Sequence, residues 1–249
     1  MDAVEAAKQC AQAIGDLGGG FMMDGATYAR GGELGLEGLD FYVLGRCGVL
    51  GDTTAGVAAS GLNFWNPPHV AAMWDRARGV MSPSAAGAEW AAVAHAYGET
   101  HLPDGHDYDR FSELAARVCE QASPACASLF AGWMALPVPG TDRSKARAYH
   151  YVNALRELRG GLHAGAVLAA GLTPLDAVAF RSPFMAGVFG WDAESLPDGA
   201  TVKERWKVAE AGTDAAMSRT LEVLDASERA ELVSIINGAH AAWTAAKEA

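Results

Sequence analysis

Four polar side chains are spaced along one face of the longest helical segment in the sequence. Tyr149, Asn153, Arg156 and His163 follow one another at intervals of four, three and seven residues, which places them on one stripe of a helix. Arg159, four residues before His163, lies at the edge of this stripe. Arginine holds anionic or carbonyl groups and histidine exchanges a proton near neutral pH, so the stripe predicts a ligand site with His163 as the general acid or base.

The same stripe also has a purely structural interpretation. Glu157 lies beside Arg156 and two residues before Arg159, so these side chains could form an ion-pair network while His163 joins two helices. The almost wholly apolar run 164–170 that follows indicates that the helix enters the protein core. A ligand-lining stripe and an internal network both remain open on this evidence, with Glu157 and Arg159 as ligand-binding candidates in the first case.

Arg46 is the second candidate for chemistry because it stands in an otherwise apolar segment with two glycines close by. An arginine is rarely buried without a partner, and each helical glycine costs about 1 kcal/mol relative to alanine. Such a cost is typical of close helix packing or of a ligand that approaches the backbone. We predict that Arg46 shares a cavity with His163, with Tyr42 among the ligand-binding residues, and Glu157 is the structural alternative as its partner.

Residues 63–66 read Asn-Phe-Trp-Asn and are followed by two prolines. Two aromatic rings between two amides could stack on a planar ligand and hydrogen-bond to it. Asn66 equally fits the cap of a helix that begins with proline, whereas this explanation leaves Asn63 open. We therefore include Asn63 and Asn66 among the ligand-binding candidates.

Metal and nucleotide chemistry find little support in the sequence. His95 and Glu99 have the i, i+4 spacing of two metal ligands, but no H-E-x-x-H motif, no close thiolate pair and no calcium loop accompanies them. The glycines 18–20 lack the lysine of a phosphate loop. We expect no metal site and no cofactor; haem on His163 is the alternative that the sequence leaves open.

The overall charge restricts the partners of the protein. The 249 residues carry 19 basic and 30 acidic side chains, a net charge of −11, which disfavours binding to nucleic acid or to anionic lipid. The acidic start Met1–Glu5 does not resemble a secretory signal, and no apolar run is long enough to span a bilayer. We expect a cytoplasmic protein with a small-molecule ligand and no membrane partner, and a homodimer is compatible with the sequence. Free thiols are expected at Cys10, Cys47, Cys119 and Cys126.

The apolar residues recur every three or four positions and no convincing strand is present, so the sequence predicts an all-α fold. The clearest linker is 136–140, which divides an N-terminal helical part (1–136) from a C-terminal helical part (141–249). We expect two helical subdomains packed on each other. The predicted helices span about 2–14, up to 28, 36–50, 53–62, 67–78, 82–100, 108–121, 124–135, 142–170, 201–224 and 226–247, with short helices capped at 173 and 182.

Residues 155–172 resemble the signature of an actinobacterial, all-helical family that is named helix-turn-helix. The signature begins L-R-E-h-R-G-D-x-H-x-A (h, usually His), and an upstream G-R-x-x-x-L-G element matches residues 45–51. The likeness extends over about residues 20–236, and the resemblance itself implies no particular activity. The matching positions are Arg46, Asn66, Arg156, Glu157, Arg159 and His163.

Two positions depart from the family signature. Leu158 stands where the family usually has histidine, and Gly161 stands where it usually has aspartate. If those groups bind a ligand or move a proton in relatives, this chain has lost that role or has changed its ligand.

Two functions from different classes follow from these observations. The first is a small-molecule-binding pocket protein of specialised metabolism, with or without acid–base turnover on a small acidic or aromatic metabolite; the sequence does not separate enzyme from binder. The second is a ligand-responsive transcriptional regulator, because residues 162–180 have helix-turn-helix dimensions. The second helix of that segment offers no basic or amide side chain to a base edge over 174–180, which disfavours DNA binding.

Overall fold

The computed structural model describes residues 1–248 and confirms the all-α prediction, since this part of the chain contains helices and no strand. Short 3₁₀ turns join several of the helices. The helices are α1 (Ala3–Gly20), α2 (Gly25–Glu33), α3 (Asp40–Cys47), α4 (Ala55–Gly61), α5 (Pro67–Ala77), α6 (Pro83–His101), α7 (Tyr108–Gln121), α8 (Ser128–Met134), α9 (Ser144–Ala169), α10 (Pro174–Arg181), α11 (Lys203–Leu221) and α12 (Ala226–Glu248).

The first helix differs most from its predicted bounds. α1 continues through the glycines 18–20, where the sequence predicts a break. A Cβ on Gly18 would lie 2.9 Å from Arg156 Cδ, and a Cβ on Gly20 would lie 2.7 Å from Tyr97 Oη. The glycines therefore let neighbouring side chains lie against the helix backbone, and this packing compensates for their poor helix propensity.

Helix α9 is the central element of the fold and packs against α1, α6, α7, α8 and α11. The largest buried cluster takes residues from both sides of the linker 136–140, whereas a smaller cluster lies around Val167, Leu172 and Val202. The division into two helical subdomains is not decided by these contacts and stays a prediction. The packing does show that different faces of α9 contact different helices.

The chain bends by 108° between α9 and α10. Gly171 in the connecting turn has a φ of +74°, and Thr173 and Asp176 form a reciprocal capping box at the start of α10. Within residues 1–248, no single helix is long and apolar enough to cross a membrane; α9 and α10 satisfy that test only when joined across this bend. The four cysteines are unpaired in the structure, with Cys126 exposed and the others buried.

Candidate functional site

A cleft of about 850 Å³ opens between α1, α9, α10, α11 and the segment from α3 to the start of α5. Its walls combine cationic and aromatic side chains with few acidic groups. The polar lining comprises Gln12, Asp16, Arg46, Asn63, Arg156, Arg159, His163, Arg181, Ser182 and Glu210. The aromatic lining comprises Tyr42, Phe64, Trp65, Phe180, Phe189 and Trp206.

One end of the cleft is built on a buried ion pair that joins α3 to α9. Arg46 Nε and Nη2 donate to the two carboxylate oxygens of Glu157, each at 2.9 Å, and Arg46 Nη1 donates to Tyr42 Oη at 2.7 Å. Arg156 Nη1 donates to the same carboxylate at 3.1 Å. Glu157 thus holds two guanidinium groups, and both guanidinium groups border the cleft.

The ion pair stays charged although it is removed from water. Burial would raise the pKa of the Glu157 carboxyl, but the charges of Arg46 and Arg156 outweigh it and hold this pKa below its usual range. Burial likewise disfavours the charged form of Arg46, and the charge of Glu157 nevertheless raises the pKa of the guanidinium. Arg46 therefore offers a permanent positive charge that is already bound to a carboxylate.

His163 has a hydrogen-bond arrangement that fixes its tautomer. Its Nδ1 lies 2.9 Å from Thr213 Oγ1, and the Thr213 hydroxyl donates its single proton to the Ala209 carbonyl at 2.7 Å. The hydroxyl must therefore accept a proton from the imidazole, so Nδ1 carries the hydrogen in the neutral ring. Nε2 is left as an acceptor, 3.9 Å from the nearer carboxylate oxygen of Glu210.

The surroundings of His163 favour its neutral form. Burial lowers the pKa of the imidazole, the nearby charge of Glu210 opposes this effect, and the charges of Arg159 and Arg181 add to it. The net direction is downward from the ordinary value of histidine. His163 Nε2 is accordingly a hydrogen-bond acceptor and a base near neutral pH.

Arg159, one turn before His163 on α9, also contacts the wall formed by α11. Its Nη2 donates to Glu210 Oε2 at 2.9 Å. Trp206, Glu210 and Thr213 succeed one another at intervals of four and three residues, so one face of α11 meets the end of α9. These three residues were not predicted as site residues, although their spacing is the same signal that indicated the stripe on α9.

The cleft brings together six of the predicted site residues, and Glu157 binds two of them from behind. Lining the cleft are Tyr42, Arg46, Asn63, Arg156, Arg159 and His163. The ligand and catalytic roles assigned to them stay predictions. Arg181, Phe180 and Phe189 complete the opposite wall and were not predicted, because nothing in their local spacing indicates how the segment after α9 folds back.

Three predicted site residues lie outside the cleft. Asn66 Nδ2 donates to the Gly190 carbonyl at 2.8 Å, which fastens the segment after α10 to the start of α5. Tyr149 Oη donates to the Leu17 carbonyl at 2.6 Å within the core. Asn153 is buried, and neither of its side-chain polar atoms has a partner among the described residues. Tyr149 lies in the core because it packs against Gly98 of α6 and hydrogen-bonds to α1, whereas Arg156 and His163 of the same stripe reach the cleft.

The two departures from the family signature have structural explanations in this chain. Leu158 is fully buried in the main core. A Cβ on Gly161 would overlap the Cys126 carbonyl and lie 2.6 Å from Ala127 Cα, so an aspartate would displace the turn before α8. Neither position lines the main cleft. We infer that these replacements accompany a change in packing around α9.

The polar residues near the end of α6 are engaged elsewhere. His95 Nε2 lies 3.2 Å from His150 Nδ1, and Arg143 Nε donates to Glu99 Oε1 at 2.7 Å. In the described part of the chain, no three histidine, cysteine, aspartate or glutamate side chains converge as a metal site.

The helix-turn-helix segment has the geometry of that motif but not an open recognition surface. The 108° angle between α9 and α10 falls in the range of such motifs. Ala177 and Val178 of α10 are buried and, with Phe180, line the cleft. The second helix thus presents much of its length to the interior of the protein.

The fold and the cleft define a class of all-helical proteins in which a helix-turn-helix segment closes one side of a polar and aromatic cavity. The chain belongs to the helix-turn-helix family, whose model matches residues 7–249. This match confirms the resemblance noted in the sequence. No curated protein and no solved structure matches the chain.

Proposed function

We propose that the protein binds a small acidic or aromatic metabolite in the cleft between α1, α9, α10 and α11. The observation that carries this proposal is the convergence of Arg46, Arg156, Arg159 and His163 on one cavity of about 850 Å³ with several aromatic walls. Cavities of this size accommodate drug-sized ligands, and a few directed polar groups among apolar walls are typical of ligand sites. A cytoplasmic location and a role in specialised metabolism belong to the same proposal.

The chemistry that such a site could perform is proton transfer. A neutral imidazole with its hydrogen on Nδ1 can accept a proton at Nε2 from a ligand hydroxyl or acidic C–H group. The resulting imidazolium would lie close to the carboxylate of Glu210, which favours it. One of the guanidinium groups that line the cleft could then hold the anionic or carbonyl group of the same ligand. Without turnover, the same contacts make a binding protein.

A thermal-shift experiment with a cleft-filling variant tests binding in this cavity. Gly15 lines the cleft and a Cβ there meets nothing within 4 Å, so Gly15→Trp should place an indole ring in the cleft without a clash at its Cβ. Gly32→Trp, at an equally open position on α2 away from the cleft, is the matched control. The compounds are salicylate, 2-naphthoate, 2-naphthol and indole.

At least one of these compounds should raise the melting temperature of the wild type and of Gly32→Trp but not that of Gly15→Trp. A ligand at a hundred times its Kd stabilises the native state by about 2.7 kcal/mol, which such a melt readily detects. If no compound shifts the wild type, or if the shift persists in Gly15→Trp, the cleft is not the binding site.

A ligand-responsive transcriptional regulator is the second candidate. The family name and the 108° bend between α9 and α10 favour it. Against it stand the net charge of −11 and the placement of Ala177, Val178 and Phe180 toward the cleft. Fluorescence anisotropy with random and genomic duplexes at physiological salt separates the two functions. Sub-micromolar, sequence-dependent binding would favour the regulator.

A further inference from the structure

We infer that the ligand of the cleft is a flat aromatic monoanion with a hydrogen-bond donor, and that Arg181 receives its anionic group. This inference rests on the proposed function, because it names the class of ligand for the same site. Three independent features of the cleft carry it: the balance of charge, the one unpaired guanidinium and the placement of the aromatic rings.

The charge balance of the cleft indicates a single negative charge on the ligand. Arg46 and Arg156 share the carboxylate of Glu157, and Arg159 is paired with Glu210. Asp16 at the rim adds a third carboxylate, which His240 Nε2 contacts at 3.0 Å. With His163 neutral, the four guanidinium groups of the lining are matched by three carboxylates, Asp16 and Glu210 in the lining and Glu157 behind it. One positive charge is left over, although the whole chain carries −11.

Arg181 is the group to which that charge belongs. It is an exposed residue at the end of α10 on the wall of the cleft, and no salt bridge or side-chain hydrogen bond among residues 1–248 includes it. A guanidinium without a partner can bind a carboxylate or sulfonate with two parallel hydrogen bonds. A dianionic phosphate ester would exceed the available positive charge. The charge balance thus favours a monoanion at Arg181.

Aromatic rings pack around the imidazole of His163. The centroid of the imidazole lies 5.8 Å from that of Phe64 and 5.1 Å from that of Trp206, and Trp206 in turn lies 5.4 Å from Phe180, beside Arg181. These rings meet one another at tilted or perpendicular angles, and Phe64, Phe180 and Trp206 all line the cleft, which favours a ligand with flat aromatic groups. His163 Nε2 can only accept, so the ligand should supply an N–H or O–H group.

Two fluorescent probes that differ only in their charged group test this inference. The first is 8-anilinonaphthalene-1-sulfonate, a monoanion with two aromatic ring systems and one N–H group. The second is N-phenyl-1-naphthylamine, which is the same molecule without the sulfonate. Both are titrated into the wild type, Arg181→Met, Gly15→Trp and the control Arg219→Met, whose side chain is 80% exposed on α11 and does not line the cleft.

The wild type should bind the sulfonate more tightly than the neutral probe. Arg181→Met should weaken sulfonate binding about tenfold or more, because a hydrogen bond to a charged group is lost, while its affinity for the neutral probe stays the same. Unchanged binding of the neutral probe also shows that the variant is folded. Arg219→Met should behave like the wild type toward both probes.

The failures of the two proposals are distinguishable. If Gly15→Trp abolishes binding of both probes but Arg181→Met affects neither, the cleft binds ligands and the inference about the anion is overturned. An equal loss in Arg181→Met and Arg219→Met also overturns it, since that loss reports overall charge. If neither probe binds, or if Gly15→Trp binds both as the wild type does, the proposed function itself fails.

Discussion

At the scale of single residues, Glu157 determines the shape of one end of the cleft. Its side chain is 4% exposed, and its carboxylate accepts hydrogen bonds from Arg46 and Arg156, which come from different helices. An ion pair in such surroundings contributes little net stability compared with apolar residues of the same volume, but the loss of one partner leaves an uncompensated charge. We interpret the pair as a device that positions two guanidinium groups at the cleft.

Glu157→Gln should lower the free energy of unfolding by about 3–5 kcal/mol, because it leaves the Arg46 guanidinium buried without its counter-charge. The measurement is urea unfolding at pH 7. The double variant Arg46→Met with Glu157→Leu should recover much of the loss, since it removes both buried charges. Glu222→Gln, in an exposed pair with Arg219, is the control and should leave stability nearly unchanged. If Glu157→Gln were as stable as the wild type, the buried Arg46 guanidinium would not need the charge of Glu157, and the prediction would be wrong.

The protonation of His163 gives a prediction that needs no ligand. Neutral His163 should carry its hydrogen on Nδ1, because Thr213 Oγ1 can only accept from it. Long-range ¹H–¹⁵N correlation spectra of the labelled protein at pH 7.5 distinguish the two tautomers. Thr213→Val removes the acceptor and should abolish the preference for Nδ1. Hydrogen on Nε2 in the wild type would show that this nitrogen is not the base.

From the sequence, the chemical roles open to these residues could be predicted better than their places in the fold. Arg46 and His163 were recognisable because each stands in an apolar setting that demands a partner. Tyr149 and Asn153 have the same helical spacing as His163 but are buried against other helices, and periodicity along one helix does not state which neighbour covers which turn. Arg181 could not be predicted as a site residue, because its place on the cleft wall depends on the bend after α9.

At the scale of elements, the 3₁₀ turn after α3 packs tightly against the start of α6. A Cβ on Gly48 would overlap the Pro83 carbonyl and lie 2.7 Å from Gly87 N. This contact seats α3 beside α6, and α3 carries Arg46 to the cleft. The glycine content near Arg46 thus reflects helix packing, one of the two explanations open from the sequence.

Gly48→Ala should destabilise the protein by about 1–3 kcal/mol or more, because backbone atoms of α6 occupy the space that a methyl group needs. Gly32→Ala on α2 meets nothing within 4 Å and should instead stabilise it by about 0.5–1 kcal/mol. Thermal and urea unfolding of both variants provide the comparison. Equal changes in stability in the two variants would mean that the 3₁₀ turn and α6 can move apart without cost, which would contradict this prediction.

Most elements were predictable to within a few residues, and the exceptions have identifiable causes. α7 matches its predicted bounds and α5 differs by one residue, because proline, glycine and capping residues mark their ends. α8 begins at Ser128, four residues later than predicted, because Cys126 adopts a φ of +62°. Ser182 begins only a 3₁₀ turn, Pro183–Met185. These differences arise from tertiary contacts and backbone geometry that local patterns do not encode.

At the scale of the whole molecule, the buried pair His95–His150 couples stability to pH. Burial lowers the pKa of His95 to about 4 and that of His150 to about 3. The charge of Arg143 lowers the pKa of His95 further and that of Glu99 opposes this, while the charge of Arg147 lowers the pKa of His150 further. Both side chains ionise near pH 6.5 once unfolded. Below that pH the unfolded state binds more protons than the native state, so native stability falls.

Urea unfolding should show constant stability from this pair above about pH 7 and a progressive loss from pH 6.5 toward pH 4. Each histidine contributes up to about 1.4 kcal/mol per pH unit in that window. His95→Gln, whose amide can still donate to His150 Nδ1, should remove about half of the slope that the pair causes. Parallel pH profiles for wild type and variant would refute the assignment.

The lining of the cleft comes from both sides of the linker 136–140, with Arg46 and Trp65 from one side and His163 and Trp206 from the other. Neither stretch of chain therefore carries the complete lining of the cleft, and under the proposed function neither has a complete ligand site. Produced as separate fragments, the two stretches would recognise a ligand only after reassembly. A ligand that contacts both fragments would stabilise their complex, so the association of the fragments would measure occupancy of the cleft.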